Sequence, residues 1–410
     1  MQKEFSVEYP PAKYAFVPPT DPAIERAIDK LKPYKAPSPD SIPNVLWKEM
    51  QPYGHPWKDS TTTILRKPGK PDYTKPGAWQ PIALLNTIGK ILSSVVADDL
   101  MSMAEHLDLL PPTHFGCRVG CSTTDVLHYI TNYASDAMKK GKFACGLFLD
   151  IKGAFPSMNV DQLTHDMRCR GIPKQLTEWI ECKLHGRHTV LTFDGFTSEL
   201  FTLNCGRDQG CPASGPFFQF YDAGLLDIPK QNSSDDVVAF VDNTTFLTVG
   251  KTLAEAVRKA GNMLSHPNGT FAWANSHMCE FGTDKFRLVV FTRKQERYNK
   301  DRGTAICKGS KRGPKGSKGY RPIPRPSLVL DGLTIKPSTS HKVLGVHLDQ
   351  EFRFKEQVAF ALKKGQKWVD AFRHISKQSM GLSSKYGHQY FKAIPAAKML
   401  YVSRLGSGEQ

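Results

Sequence analysis

Two short stretches constrain this chain more than any other feature. Leu147-Phe148-Leu149-Asp150-Ile151-Lys152-Gly153-Ala154-Phe155 opens as an apolar run, reaches an acid, and breaks at Gly153. That pattern reads as a buried strand whose last residue carries a carboxylate out of the sheet edge. Ala239-Phe240-Val241-Asp242-Asn243-Thr244-Thr245-Phe246-Leu247-Thr248-Val249 is apolar, then acidic, then apolar again. It reads as a β-hairpin with Asp242 at or beside the turn. A lone strand-end Asp can equally cap the next turn. Two acids from separate strands, meeting at one end of a sheet, suit a different task. Mg²⁺ is usually held by one or two carboxylates plus substrate phosphates, and phosphoryl transfer can use two such ions roughly 3.5–4 Å apart.

The charge balance points the same way. Of 410 residues, 55 are Lys or Arg and 39 are Asp or Glu, a formal net charge of +16. Such an excess implies a polyanionic partner, most simply nucleic acid; a merely basic protein gives the same count. Hydrophobic residues make up 40%, enough for a sizeable core in one large or two to three smaller domains. Nine cysteines are scattered without a C-x-x-C pair, and Cys117 and Cys121 have nothing downstream to complete a zinc ligand set. That pattern fits a reducing, intracellular compartment. Met1 to Pro19 lacks the apolar core of a secretory leader, and no stretch approaches the ~20 continuous apolar residues of a membrane span.

At the two acid-bearing stretches the chain resembles the reverse transcriptases of non-LTR (LINE-type) retrotransposons, more narrowly those of fungi. The stretch around Asp150 is similar to motif A, an Asp followed by a small residue and an aromatic. The stretch around Asp242 is similar to motif C, usually aromatic-x-Asp-Asp. Further motifs follow in the right order from about Lys35 to about Leu405. Lys35-Ala36-Pro37-Ser38-Pro39-Asp40-Ser41-Ile42-Pro43 is similar to the family's K-A-P-G-P-D-x-I-P segment. His114 to Asp125 resembles F-G-x-R-x-G-x-S-T-x-D, and Cys205 to Pro216 resembles motif B.

The resemblance implies an α+β right-hand polymerase: fingers at 1–145, a palm with an antiparallel sheet at 146–295, and a partial helical thumb. A basic, flexible linker is expected at 296–326, and a motif E hairpin with the thumb at 327–410. The implied reaction joins a dNTP to a primer 3′-hydroxyl on a template RNA, with target DNA as a further partner and no membrane. Asp150 and Asp242 would hold two Mg²⁺ ions, Mn²⁺ being a possible substitute, and Ile151 would add its backbone carbonyl. Lys67, in the turn after Thr62 to Leu65, would contact the triphosphate. Phe155 would sense the sugar, and Gln209 and Gly210 would lie close to the template base and nucleotide. Lys285 matches the motif D lysine, a candidate general acid toward pyrophosphate. Arg118 would meet a template phosphate, and Lys363, Lys364 and Lys367 would line a basic thumb helix from Phe354 to about Gln378.

Two departures bear on activity. Gln80 stands where the family usually has Arg; an amide offers neutral hydrogen bonds in place of a charged planar fork. Asn243 stands where motif C usually has its second Asp, so one charge is missing from a site meant to offset two divalent ions. Both predict impaired polymerisation, and the alternative is a catalytically decayed, nucleic-acid-binding remnant. In motif B, Asp208 and Gly215 replace the commoner prolines. Asp235 and Asp236, just before motif C, read as solvated. Arg293 to Arg325 holds twelve Lys or Arg against two acids, a composition that contacts phosphates non-specifically or resembles a nuclear-import patch. No endonuclease or RNase H segment is legible, and the chain reads as part of a larger element.

Overall fold

The computed structural model describes residues 7–30, 58–154, 156–229, 233–299, 318–330, 332–375, 381 and 383–401. Strands β1 (Ser60–Arg66) and β2 (Trp79–Leu85) form an antiparallel hairpin, Arg66 opposite Trp79. The Thr87–His106 helix follows, its first turn capped by the Asn86 side chain accepting from the Ile88 N–H. The Thr123–Lys139 helix then opens on a capping box of Ser122 and Asp125.

Strand β3 (Phe143–Asp150) is buried along its whole length except at its final acid. Its alternation explains why it is apolar on both sides. Cys145, Leu147, Leu149 and Ile151 face one core, with Phe217, Tyr221, Ala256 and Ala260. Ala144 and Phe148 face a second core, with Leu127, Ile130, Val346 and Leu348. A strand packed on both faces has no room for a polar residue until it leaves the sheet, which it does at Asp150.

Two helices, Val160–Cys169 and Lys174–Leu184, lie either side of Gly171-Ile172-Pro173. Strand β4 (Arg187–Phe193) follows, then the short β5 (Phe196–Thr197) and β6 (Phe201–Leu203). This segment was expected within the palm. It instead joins the first sheet, β4 running parallel to β1 with Ser60 opposite Thr189, in the order β2-β1-β4-β5 with β6 also on β4. Buried Thr62 and Thr189 share a hydroxyl–hydroxyl bond across β1 and β4, a side-chain pairing that no local pattern announces.

The buried Ser214–Leu226 helix leads to β7 (Asp236–Phe240) and β8 (Asn243–Gly250). The Leu253–Ser265 helix packs behind them, and β9 (Arg287–Phe291) closes the palm sheet, antiparallel throughout in the order β7-β8-β3-β9. The stretch expected as a linker is structured at both ends. Strands β10 (Gln295–Asn299) and β11 (Lys318–Pro322) pair antiparallel, and Arg325 donates to the carbonyls of Val290 and Thr292. Cross-strand contacts supply the order, with Arg297 over the Tyr320 ring and Arg321 paired with Glu296. Two further hairpins follow, β12 (Leu328–Leu330) with β13 (Leu333–Ile335), and β14 (Ser340–Val343) with β15 (Val346–Asp349). The Lys355–Ile375 helix follows, and the ring of its Phe372 stacks on Tyr390 of the Ser384–Phe391 helix. Among the described residues no helix is long and apolar enough to cross a membrane.

Candidate active site

The site forms where β3 ends against the β7–β8 turn. Asp150 lies directly opposite Asn243 in the register, and Asp242 occupies the second position of the two-residue Val241-Asp242 loop. Val241 has φ of 56°, a left-handed conformation that a β-branched residue adopts only under constraint. The constraint is visible. Phe115 N–H donates to the Ala239 carbonyl and Ala239 N–H to Thr113, so the 113–116 loop pairs with β7 beside the turn. Gly116 presses on the same turn: a Cβ there would stand 2.5 Å from the Val241 nitrogen. The carboxylate of Asp242 is thus aimed by a turn clamped from behind.

On the other side of β3, Phe281 bridges to Ile151. Gly282 N–H donates to the Asp150 carbonyl and Lys152 N–H to that of Glu280. That pattern turns the Ile151 carbonyl away from the Phe281 segment, toward the β8 side. The same loop carries Lys285, whose Nζ is 2.7 Å from Asp150 Oδ2. Asn243 donates its amide to Asp242 Oδ1 at 3.1 Å. Burial raises the Asp242 carboxyl above its ordinary value and Asp150 adds to the rise, while backbone hydrogen bonding, Arg207 and the Asn243 amide oppose it.

Sequence reasoning missed the layer beneath. Arg207 is buried, its guanidinium 4.4 Å from the Phe218 ring centroid. Burial pushes it down to about 9, against the attraction of Asp222, Cys117 and Asp242. Asp222 is fully buried and 2.9 Å from His114 Nε2; burial raises its carboxyl, with His114 and Arg207 opposing. The available signal was Asp222 itself, an acid inside the apolar run Phe217 to Leu226, which needs a buried partner.

The remaining predicted residues are spread over several elements. Gln209 and Gly210 lie against β2: Ala83 N–H donates to the Gln209 carbonyl, and a Cβ on Gly210 would meet the Ala83 oxygen at 2.6 Å. Half-buried Gln80 lies on β2 opposite Leu65, and Lys67, just past β1, donates to the Gly77 carbonyl. Phe155 lies outside the described residues, as does Lys35 to Pro43. Arg118, expected at a phosphate, is held within the chain: Nε and Nη2 donate to Glu105, Nη1 to the Pro111 and His114 carbonyls. It braces the start of the glycine-spaced loop against the Thr87–His106 helix. Lys363 and Lys367 are exposed on the thumb helix. Lys364 shares the Phe360 ring with Lys342, and burial with Lys342 and Lys398 lowers its ammonium. Asp235 and Asp236, expected to be solvated, are engaged: Asp235 accepts from Lys259 and Val249 N–H, Asp236 from Tyr129.

Two carboxylates at the open end of an antiparallel palm, backed by a glycine loop and a motif B loop on a separate sheet, define a right-hand polymerase. A profile of the family described as reverse transcriptase (RNA-dependent DNA polymerase) matches residues 65–348, and the chain belongs to that family. Among curated relatives it is similar to an RNA-directed DNA polymerase from mobile element jockey of Drosophila melanogaster, 23% identical over 84% of this chain and 35% of that one. A probable RNA-directed DNA polymerase from transposon BS of the same species is 27% identical over 88% of this chain and 39% of that one. The chain thus spans well under half the length of these relatives. Among solved structures, telomerase from Candida albicans in complex with a fragment of telomeric RNA is 10% identical, with a TM-score of 0.43, over 85% of this chain and 60% of that one.

Proposed function

We propose that this chain is the polymerase segment of a non-LTR retrotransposon, an RNA-directed DNA polymerase joining dNTPs to a primer 3′-hydroxyl. The observation that carries the reading is the convergence of Asp150 and Asp242 at one end of the palm sheet. Their donor chemistry fits a hard divalent cation: two carboxylates on facing strand ends, with the Ile151 carbonyl turned to the same side. Mg²⁺, or Mn²⁺ in its place, would supply Lewis acidity toward the reacting phosphate and hydroxyl. Asp150, Ile151 and Asp242 would hold it. Asn243 contributes no charge, so the set is better matched to one ion than to two.

The other residues orient the reactants. Gln209 and Gly210 would bring main chain against the template base and nucleotide, and Lys67 and Gln80 would face triphosphate oxygens. Phe155 would contact the sugar. Lys285, ion-paired with Asp150, is within reach of the same centre and would donate its proton to departing pyrophosphate. Lys363, Lys364 and Lys367 would follow a duplex of template RNA and primer or target DNA. The basic 293–325 stretch supports a nuclear site of action. The finer likeness to fungal elements rests on the sequence motifs, and the relatives named above are from Drosophila.

A second reading, a nucleic-acid-binding remnant without catalysis, is favoured specifically by Asn243 and Gln80. Primer extension on a homopolymeric RNA template, with Mg²⁺ and then Mn²⁺, separates the two. The polymerase reading expects dNTP incorporation that Asp150→Asn abolishes. Tight template binding with no incorporation under either ion, in both this chain and Asn243→Asp, would leave the remnant.

A further inference from the structure

The two helices that precede β4 bring together three metal-ligating side chains that the candidate active site does not use. The Val160–Cys169 and Lys174–Leu184 helices are joined by a short connection and pack on each other as a helical hairpin. The end of the second therefore returns to the start of the first. Asp161 lies in the first turn of the first helix. Glu181 and His185 lie one helical turn apart at the end of the second, on one face. One ligand atom from each of the three lies within 4.8 Å of the other two, and all three residues are half-buried.

The imidazole supplies the observation that points to a ligand. His185 Nε2 is shielded from solvent and has no hydrogen-bond partner, a costly state for a ring nitrogen. It stands 3.4 Å from Asp161 Oδ1 without hydrogen-bond geometry. The spacing suits a shared ion instead. Zn²⁺ takes a His nitrogen at about 2.0–2.1 Å and a carboxylate oxygen at about 2.0–2.2 Å, so ligand atoms on its tetrahedron stand about 3.3–3.5 Å apart. His185 and Asp161 already have that separation. Glu181 completes the set with a shift of about 1.4 Å at most, within the reach of side-chain rotation. The ligand types select the ion as well. Mg²⁺ prefers oxygen ligands in an octahedron, whereas imidazole suits Zn²⁺ and its first-row neighbours. The His185 side chain is 33% exposed, which lets water reach the fourth position.

We propose that Asp161, Glu181 and His185 bind one Zn²⁺ ion, in a structural site separate from the cation site of Asp150 and Asp242. The ion would tie the start of one helix to the end of the next. Its effect would reach the motif B loop. Two residues beyond His185, buried Arg187 donates to Asp208 Oδ1 at 2.5 Å and to the Cys205 and Gly206 carbonyls. Zn²⁺ would fix the helix–strand junction from which Arg187 holds that loop. The site does not depend on the polymerase reading, since its ligands lie outside the residues assigned to catalysis.

The test titrates Zn²⁺, and Co²⁺ as its spectroscopic substitute, into the metal-free full chain. The parent should bind Zn²⁺, melt at a higher temperature with it, and give the intense visible bands of tetrahedral Co²⁺. Asp150→Asn/Asp242→Asn should keep all three properties, which separates this site from the catalytic one. His185→Ala should lose the bands and weaken Zn²⁺ binding by about a hundredfold; Glu181→Gln should weaken binding as well. Melting of each variant without metal checks its fold, and if His185→Ala melts far below the parent, Glu181→Gln decides. Absence of the bands in the parent overturns the site. So does their survival in a folded His185→Ala, or unchanged Zn²⁺ affinity in Glu181→Gln. Bands lost in Asp150→Asn/Asp242→Asn also overturn it, because they assign the ion to the catalytic carboxylates.

Discussion

Restoring the missing charge at Asn243 should change this protein in two opposite directions at once. Asn243 Nδ2 donates to Asp242 Oδ1 at 3.1 Å. In Asn243→Asp that bond is lost and a second carboxylate stands beside the first. Two unit charges about 4 Å apart repel by roughly 1 kcal/mol in water and 4 kcal/mol at an effective dielectric near 20. Asn243 is exposed and Asp242 half-buried, so a value near the middle, about 2 kcal/mol, is the reasonable figure. Loss of the amide's bond to a charged group adds about 1 kcal/mol. Without divalent ions the variant should therefore melt several degrees lower. With Mg²⁺ the sign reverses, since a dication gains from each added negative charge; binding should tighten at least tenfold, and primer extension should rise. The assay is thermal melting across a Mg²⁺ titration, paired with primer extension on RNA. Unchanged metal-free melting together with unchanged Mg²⁺ affinity would refute the reasoning, because it would mean Asn243 does not face the carboxylates in solution.

Asp242→Asn should abolish primer extension yet raise metal-free stability at pH 7. Burial raises the folded carboxyl above its unfolded value, so its ionisation is penalised above the raised value and not below the unfolded value of about 3.9; the gain should be present in neutral melts and absent near pH 3. Gly116→Ala should slow extension by about a hundredfold with little loss of template binding, because its Cβ would displace the turn that aims Asp242; unchanged kcat would show that the turn yields elsewhere. Gln80→Arg, placed in an Asn243→Asp background, should lower the dNTP KM by about tenfold through a charge-assisted phosphate contact, read by steady-state extension at varied dNTP.

The sequence by itself determined the strands that carry the chemistry. Leu147 to Asp150 had to be a buried strand ending in an acid, because an unbroken apolar run followed by Asp and Gly has few other stable uses. The β7–β8 hairpin, the capped helices and the motif E hairpin were legible for the same reason: each rests on local periodicity or turn chemistry. Asp150, Asp242 and Lys285 were singled out along the chain, and the structure brings all three to one end of the palm sheet. What local pattern could not supply was pairing between distant segments. That β4 would align with β1 depends on contacts separated by more than a hundred residues. So does the ordering of β10 and β11 depend on partners across a gap, since their Gly-, Pro- and Lys-rich surroundings read as unstructured. Arg118 is the clearest case. Its match to the family's glycine-loop segment implied a phosphate contact, whereas its bonds to Glu105 and to the Pro111 and His114 carbonyls depend on which acceptors the fold brings to it. The buried group of Arg207, Asp222 and His114 follows the same rule: a charge is tolerated in a core only when tertiary structure delivers its partner, and that delivery is decided by packing rather than by the residues on either side.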